Sequence, residues 1–261
     1  MSLPFFEYGA ARLDEIVQPG MLCAFDFDGT LAPIVKEPER AAMPSAISRR
    51  LMMLSEHVQV AIITGRSIED IGVRLDFLPD YVVGNHGIEG IPGWENLADN
   101  FRQRCLDWER RLALALNDRA IFDPGIRIEN KGYSLSVHYR LARDRTDAEV
   151  QLGRLFAKLL PDAHVIGGKC VFNLLPSDAI NKGTALERLM EASGASGVLY
   201  VGDDVTDEDV FRLQRKELLT VRVEEASDSA AEFHLHHRVE MVRLLDELLV
   251  RVGEVRAVAN A

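Results

Sequence analysis

Residues 21–30 read MLCAFDFDGT. An unbroken apolar run that stops at polar residues and glycine reads as a strand buried on both faces of a parallel sheet, with whatever follows it at the sheet's carboxyl edge. In extended chain, residues i and i+2 point the same way, so Asp26 and Asp28 present two carboxylates side by side. Anions this close repel unless a cation or a proton stands between them. Hard oxygens of this kind suit Mg²⁺, which takes one or two carboxylates and keeps waters or phosphate oxygens in the rest of its shell. A plain Asp28-Gly29 turn is the alternative.

The same pattern recurs at residues 58–63, 81–83, 198–201 and 219–223. Helical patterns lie between. One covers 44–56 with Pro44 in its first turn, and another runs over 68–75 behind Ser67 as N-cap. Alternating strands and helices predict an α/β protein whose core is a doubly wound, Rossmann-like parallel sheet, and ligands bind such sheets at the strands' carboxyl ends. From Phe101 the pattern changes. Cys105, Trp108, Leu112 and Leu116 stripe a helix; residues 127–130 and 133–140 form a hairpin around Lys131-Gly132. A second helix with Leu152, Leu155, Phe156, Leu159 and Leu160 on one face precedes a second hairpin around Gly167-Gly168. The expected division is a core of residues 1–94 and 175–261 with an inserted α+β cap at 95–174. A helix over 239–252 closes the chain and frays after Gly253.

The 261 residues include 47% hydrophobic ones, enough to fill real cores, and carry a net charge of −11. That field repels nucleic acid and anionic membrane, so an anionic substrate must meet local positive charge. Cys23, Cys105 and Cys170 are far apart and form no CxxC pair, which argues against a disulfide framework or a zinc site and for small buried hydrophobes. The first residues lack a basic start and a long apolar run, and no stretch approaches a membrane span; a soluble cytoplasmic protein is expected.

Other strand exits carry chemistry too. Thr64-Gly65-Arg66 offers a hydroxyl, backbone amides and a guanidinium at a helix start, a combination that holds phosphate or simply caps the helix. Lys182 begins a helix, where the macrodipole disfavours a cation unless an anion is bound nearby. Asp203 and Asp204 follow a buried strand, where carboxylates without a shared metal are costly. Thr206 with Asp209 has the spacing of a capping box. Gly167-Gly168-Lys169 is no nucleotide loop, because Ala163 and Cys170 occupy the positions where glycine and a hydroxyl residue are needed. His234, His236 and His237 read as a solvated loop, and His86 as either a substrate-orienting or a structural histidine.

In order, DFDGT (26–30), TGR (64–66), Lys182 and GDD (202–204) resemble the four motifs of the haloacid dehalogenase superfamily of phosphatases. The likeness narrows to the trehalose-6-phosphate phosphatases through DFDGTLAPI (26–34), GNHGIE (84–89), ENKGYSLSVHYR (129–140), GGKCV (167–171) and GDDVTDEDVF (202–211). This resemblance implies a Mg²⁺-dependent phosphatase that hydrolyses trehalose 6-phosphate through an aspartyl phosphate on Asp26. Mg²⁺ would be held by Asp26, the Asp28 carbonyl and Asp203, with Asp207 and Asp204 on metal-bound water. Asp28 would be the acid and base, and Thr64 and Lys182 would hold the phosphate oxygens. Thr30, Gly65, Arg66, Asn85 and His86 would line the substrate site. In the cap, Glu129, Lys131, His138, Arg140, Lys169 and Asn173 would cover the sugar. Asn173 departs from the pattern, since many relatives have a glutamate there, at a position associated with sugar hydroxyls. The implied partner is a small sugar phosphate, with a functional link to a trehalose-6-phosphate synthase. Rival readings are a phosphatase for sucrose phosphate, mannosyl phosphoglycerate or a hexose phosphate, and a catalytically silent sensor. A binding module, however, needs neither nucleophile nor acid.

Overall fold

The computed structural model describes residues 2–35, 37–168, 170–177 and 180–259. Its strands are β1 (Leu3–Pro4), β2 (Leu22–Phe25), β3 (Gln59–Ile63), β4 (Tyr81–Val83), β5 (Arg127–Asn130), β6 (Leu135–His138), β7 (Ala163–Gly168), β8 (Val171–Pro176), β9 (Val198–Gly202), β10 (Leu218–Val223) and β11 (Phe233–Leu235). The chain divides into two units, Met1–Pro92 with Ile180–Ala261, and Gly93–Ala179.

In the first unit seven parallel strands lie in the order β1-β11-β10-β9-β2-β3-β4. Strands β2 and β9 are buried along their whole length, as continuous apolar runs between two helical layers should be. Cys23, Phe25, Val60, Ile62, Leu199 and Val201 join one cluster with Ile47, Leu51 and Leu54 of helix Ser45–Ser55 and with Leu244, Leu245 and Leu248 of helix Met241–Ala259. The alternate residues, including Ala24, Ala61 and Tyr200, face the other side, where helix Lys182–Ser193 packs on β2 and β3. The doubly wound sheet is thus as expected.

Several local expectations fail. The terminal helix continues through Gly253 to Ala259, because Val252 and Val255 go on packing against the core and outweigh glycine's helix penalty of about 1 kcal/mol. Pro44 is the N-cap of its helix and not a first-turn residue. Ser67 does cap, accepting from the Asp70 amide, but that helix stops at Gly72. The short strands β1, at the edge, and β11 beside it were not legible. His234 lies on β11, 2% exposed, with Nδ1 3.0 Å from Ser2 Oγ, so only His236 and His237 are in solvent.

The second unit has an antiparallel sheet in the order β5-β6-β8-β7, made of two hairpins. Helices Glu95–Leu116 and Arg145–Leu159 cover one face through Cys105, Trp108, Leu112, Leu152 and Phe156, which pack with Leu135, Val137 and Leu174 of the sheet. Cys170 departs from the buried role found for Cys23 and Cys105: it is half-buried in the β7–β8 turn with φ +62°. Among the described residues no helix is long and apolar enough to cross a membrane.

Candidate active site

Phe25 lies beside Ile62 of β3 and Val201 of β9, and the Asp26 amide still bonds to the Val201 carbonyl at 2.9 Å. Parallel register therefore sets Asp26, Thr64 and Asp203 at neighbouring strand exits on one edge. The Thr64 amide bonds to the Val83 carbonyl, which ties the exit of β4 to the same edge.

Lys182 reaches this edge from below. Asn181 caps its helix, and Gly87 (φ +118°) approaches Asn181 so closely that a Cβ there would lie 2.7 Å from the Asn181 carbonyl oxygen. The Lys182 side chain is 2% exposed, and Nζ donates to Asp26 Oδ1 and Asp207 Oδ1, each at 2.7 Å. Burial alone would lower its pKa, but Asp26 and Asp207 hold it above the usual lysine value. Its unfavourable place at a helix start is thus offset by two carboxylates. Lys182 occupies Asp26 Oδ1, so Oδ2 is the oxygen that takes no hydrogen bond among the described residues.

Asp207 is a hub. Its Oδ1 accepts from Lys182 and, at 2.6 Å, from the Tyr200 hydroxyl; its Oδ2 accepts from the Asp203 and Asp204 amides, both at 2.9 Å. The expected Thr206–Asp209 box does not form, because the chain turns one residue pair earlier, with Asp204 as N-cap and Asp207 as its reciprocal partner. Tyr200 stays protonated: burial, then Asp207 and Asp26, hold its pKa well above the usual value.

Asp26, Asp203 and Asp207 each offer an oxygen within 4.8 Å of the others. Burial pushes the Asp203 carboxyl up to about 6, with Asp207 adding to it. Burial also raises Asp26, against the pull of Lys182 and with help from Asp207. Crowded hard oxygens that draw protons back are a set that a divalent cation fits. Asp207 is already saturated, so it stands behind Asp26 and Asp203. Asp204 is not in this cluster; its side chain is exposed because it serves as the N-cap. Thr30, expected on the substrate, is buried and donates to Asp203 Oδ1 at 3.1 Å.

Arg66, expected on phosphate, grips Asp28 with Nε at 2.6 Å and Nη2 at 2.7 Å, while Nη1 holds Asp70. Both Asp28 oxygens are thus occupied by Arg66. Thr64 Oγ1 accepts from the Arg66 amide at 3.2 Å, which leaves its hydroxyl hydrogen to donate. Gly65 is needed where it stands, since a Cβ would overlap the His86 ring. Asn85, also expected on substrate, is buried and donates to Glu89 Oε2 at 2.9 Å; that oxygen also accepts from the Ile68 amide. GNHGIE is therefore a brace for the strand exits. A buried amide must find a partner, and here it finds one inside the turn.

In the second unit Glu129, Ser136, Asn173 and Ile166 form one cross-strand row on the sheet face away from the helices, with His138 two residues from Ser136. Ser136 Oγ donates to Asn173 Oδ1 at 2.7 Å, and His138 Nε2 lies 2.8 Å from Glu129 Oε2. Lys131 is exposed in the β5–β6 turn and Arg140 beyond β6. Lys169 lies outside the described residues. Ser136 was missed, although its i+2 spacing from His138 was a usable signal; Tyr200, a phenol inside an apolar run, was another.

The chain matches the trehalose-phosphatase family over residues 24–238. It belongs to that family. It is 33% identical over 194 residues to the trehalose-phosphate phosphatase of Mycolicibacterium paratuberculosis, covering 72% of this chain and 49% of that protein. To "Probable trehalose-phosphate phosphatase I" of Arabidopsis thaliana it is 32% identical over 206 residues, 73% of this chain and 56% of the relative. The chain thus spans about half the length of these curated relatives. The Aspergillus fumigatus trehalose-6-phosphate phosphatase structure superposes with a TM-score of 0.67 at 25% identity, covering 96% of this chain and all of that one. The trehalose-phosphatase match takes in residues of both units.

Proposed function

We propose that this trehalose-phosphatase family member is a phosphatase that hydrolyses trehalose 6-phosphate, with the first unit as catalytic core and the second as a substrate-covering cap. The observation that carries this reading is Asp26, buried at a strand exit with Oδ1 tied to Lys182 and Oδ2 taking no hydrogen bond among the described residues. Asp26 Oδ2 forms a bond to phosphorus as the sugar's ester oxygen leaves, giving an aspartyl phosphate. Asp28, released by Arg66, gives that oxygen its proton and then takes one from the water that frees phosphate and restores the Asp26 carboxylate. Thr64 and Lys182 donate to the equatorial phosphoryl oxygens. Asp26 and Asp203 fit a divalent cation, here assigned as Mg²⁺, which when bound neutralises charge between carboxylate and phosphate. Glu129, His138, Asn173 and Ser136 offer sugar hydroxyls both donors and acceptors.

The test is phosphate release from trehalose 6-phosphate beside sucrose 6-phosphate, mannosyl phosphoglycerate, glucose 6-phosphate and an aryl phosphate, with and without Mg²⁺. Trehalose 6-phosphate should lead in kcat/KM by about tenfold or more over the other sugar phosphates, since a site that hydrogen-bonds its substrate's hydroxyls discriminates strongly. Asp26→Asn should remove turnover on every substrate. A faster rival sugar overturns the substrate, and an active Asp26→Asn protein overturns the mechanism.

A further inference from the structure

Tyr200 sits in the middle of a sequence run, VLYVG, whose every residue is buried, and it is the only one there with a polar group. Its ring packs edge-on against Phe211, with centroids 6.0 Å apart, and its hydroxyl ends on Asp207 Oδ1 at 2.6 Å. That same oxygen takes Lys182 Nζ at 2.7 Å. The ammonium is therefore shared between two carboxylates, Asp207 and Asp26, at equal distance. The hold of each carboxylate on a buried cation placed between them grows with the charge that its other donors leave unshielded, so a donor lost from Asp207 strengthens Asp207's pull on Lys182. Asp207 Oδ2 is neutralised in part by two backbone amides, while Oδ1 has Lys182 and the phenol alone.

We propose that Tyr200 is a positioning residue for the nucleophile: its hydroxyl shields Asp207 Oδ1 and so leaves Lys182 free to hold Asp26 Oδ1. The phenol is suited to this because it donates one strong hydrogen bond and brings no charge, so it tempers Asp207 without competing with Lys182 for Asp26. Without it, Lys182 moves toward Asp207, and Asp26 loses the contact that turns Oδ2 toward the phosphorus. The effect falls on the chemical step, since Tyr200 is wholly buried and its hydroxyl donates to Asp207.

The inference rests on Asp26 as nucleophile, which Asp26→Asn tests separately. Tyr200→Phe keeps the ring and its packing and removes only the hydroxyl. It should lower kcat on an aryl phosphate by about fivefold or more while KM stays within about twofold, the pattern of an interaction lost in the transition state. Mg²⁺ affinity, measured by calorimetry on the protein without substrate, should stay within about twofold, because the Asp203 amide keeps its own bond to Asp207 Oδ2. On an Asp207→Asn background, or Asp207→Glu if that protein does not fold, the Tyr200→Phe loss in kcat should shrink to less than about twofold. The proposal is overturned if Tyr200→Phe shifts only the unfolding midpoint with kcat intact, if Mg²⁺ affinity falls in step with kcat, or if the kcat loss persists undiminished without Asp207. Asp26→Asn inactive with Tyr200→Phe at full kcat overturns this inference and leaves the functional reading standing.

Discussion

Asp28 is held by two hydrogen bonds from one guanidinium, and Arg66 is in turn shared with Asp70. This makes Arg66 the partner that sets where the Asp28 carboxyl sits. Asp28→Asn should lower kcat by roughly 10²- to 10⁴-fold with the fold intact, the usual worth of general acid–base help; a loss under about threefold would make Asp28 a structural partner of Arg66. Asp203 gives a second prediction, in pH. Its carboxyl titrates near 6 in the folded chain against a usual carboxylate value near 4. The folded protein therefore binds more protons than the unfolded one between those values. Asp203 should therefore make the metal-free protein less stable as pH rises from about 4 through about 6, its own contribution being complete above that. Saturating Mg²⁺ or Asp203→Asn should flatten that slope in thermal melts taken across the window; an unchanged slope in Asp203→Asn would place the titration elsewhere.

At the level of elements, the site depends on how strand exits are braced to the segments behind them. The turn after β4 meets the helix start at Asn181 through Gly87, whose positive φ and missing Cβ are both required. Gly87→Ala should push the start of the Lys182 helix away. The expected result is a kcat loss of about tenfold or more, with a thermal midpoint lower by several degrees. On the other flank, Arg222 of β10 donates to Glu208 Oε1 at 3.0 Å and to the Asp204 carbonyl at 3.3 Å, and Glu208 Oε2 accepts from the Ala230 amide. Arg222→Ala would leave the buried Glu208 carboxylate without its cation, at a cost of about 3–5 kcal/mol. Adding Glu208→Gln should recover part of that in urea unfolding; no recovery would mean the pair is not what stabilises this turn.

On the scale of the whole molecule, two units with separate cores divide the work between phosphate and sugar in the proposed function. Asn173→Glu should change kcat/KM on trehalose 6-phosphate by more than about threefold and leave aryl phosphate turnover nearly untouched, since the substitution alters only the row with Glu129 and Ser136. Equal changes on both substrates would make Asn173 a packing residue of its sheet. The order of strands and helices, the inserted hairpins and the places where chemistry gathers were legible along the chain. Each depends on local periodicity: residues 21–25 and 198–201 read as buried strands because every side chain is apolar, and their exits follow directly. The partners of the polar groups were not legible in this way. Asp207 was expected on metal-bound water and is a buried hub; Arg66 looked like a phosphate ligand and holds Asp28; His234 looked solvated and is packed on β11, inside the sheet. Sequence alone determined which residues arrive at one sheet edge, because strand length and hydrophobic pattern are properties of neighbours in the chain. Only the tertiary structure decided which carboxylate meets which cation, because Asp26 and Lys182, or Asp28 and Arg66, meet across 156 and 38 positions, and burial leaves each charge no choice but the partner that the packing brings within reach.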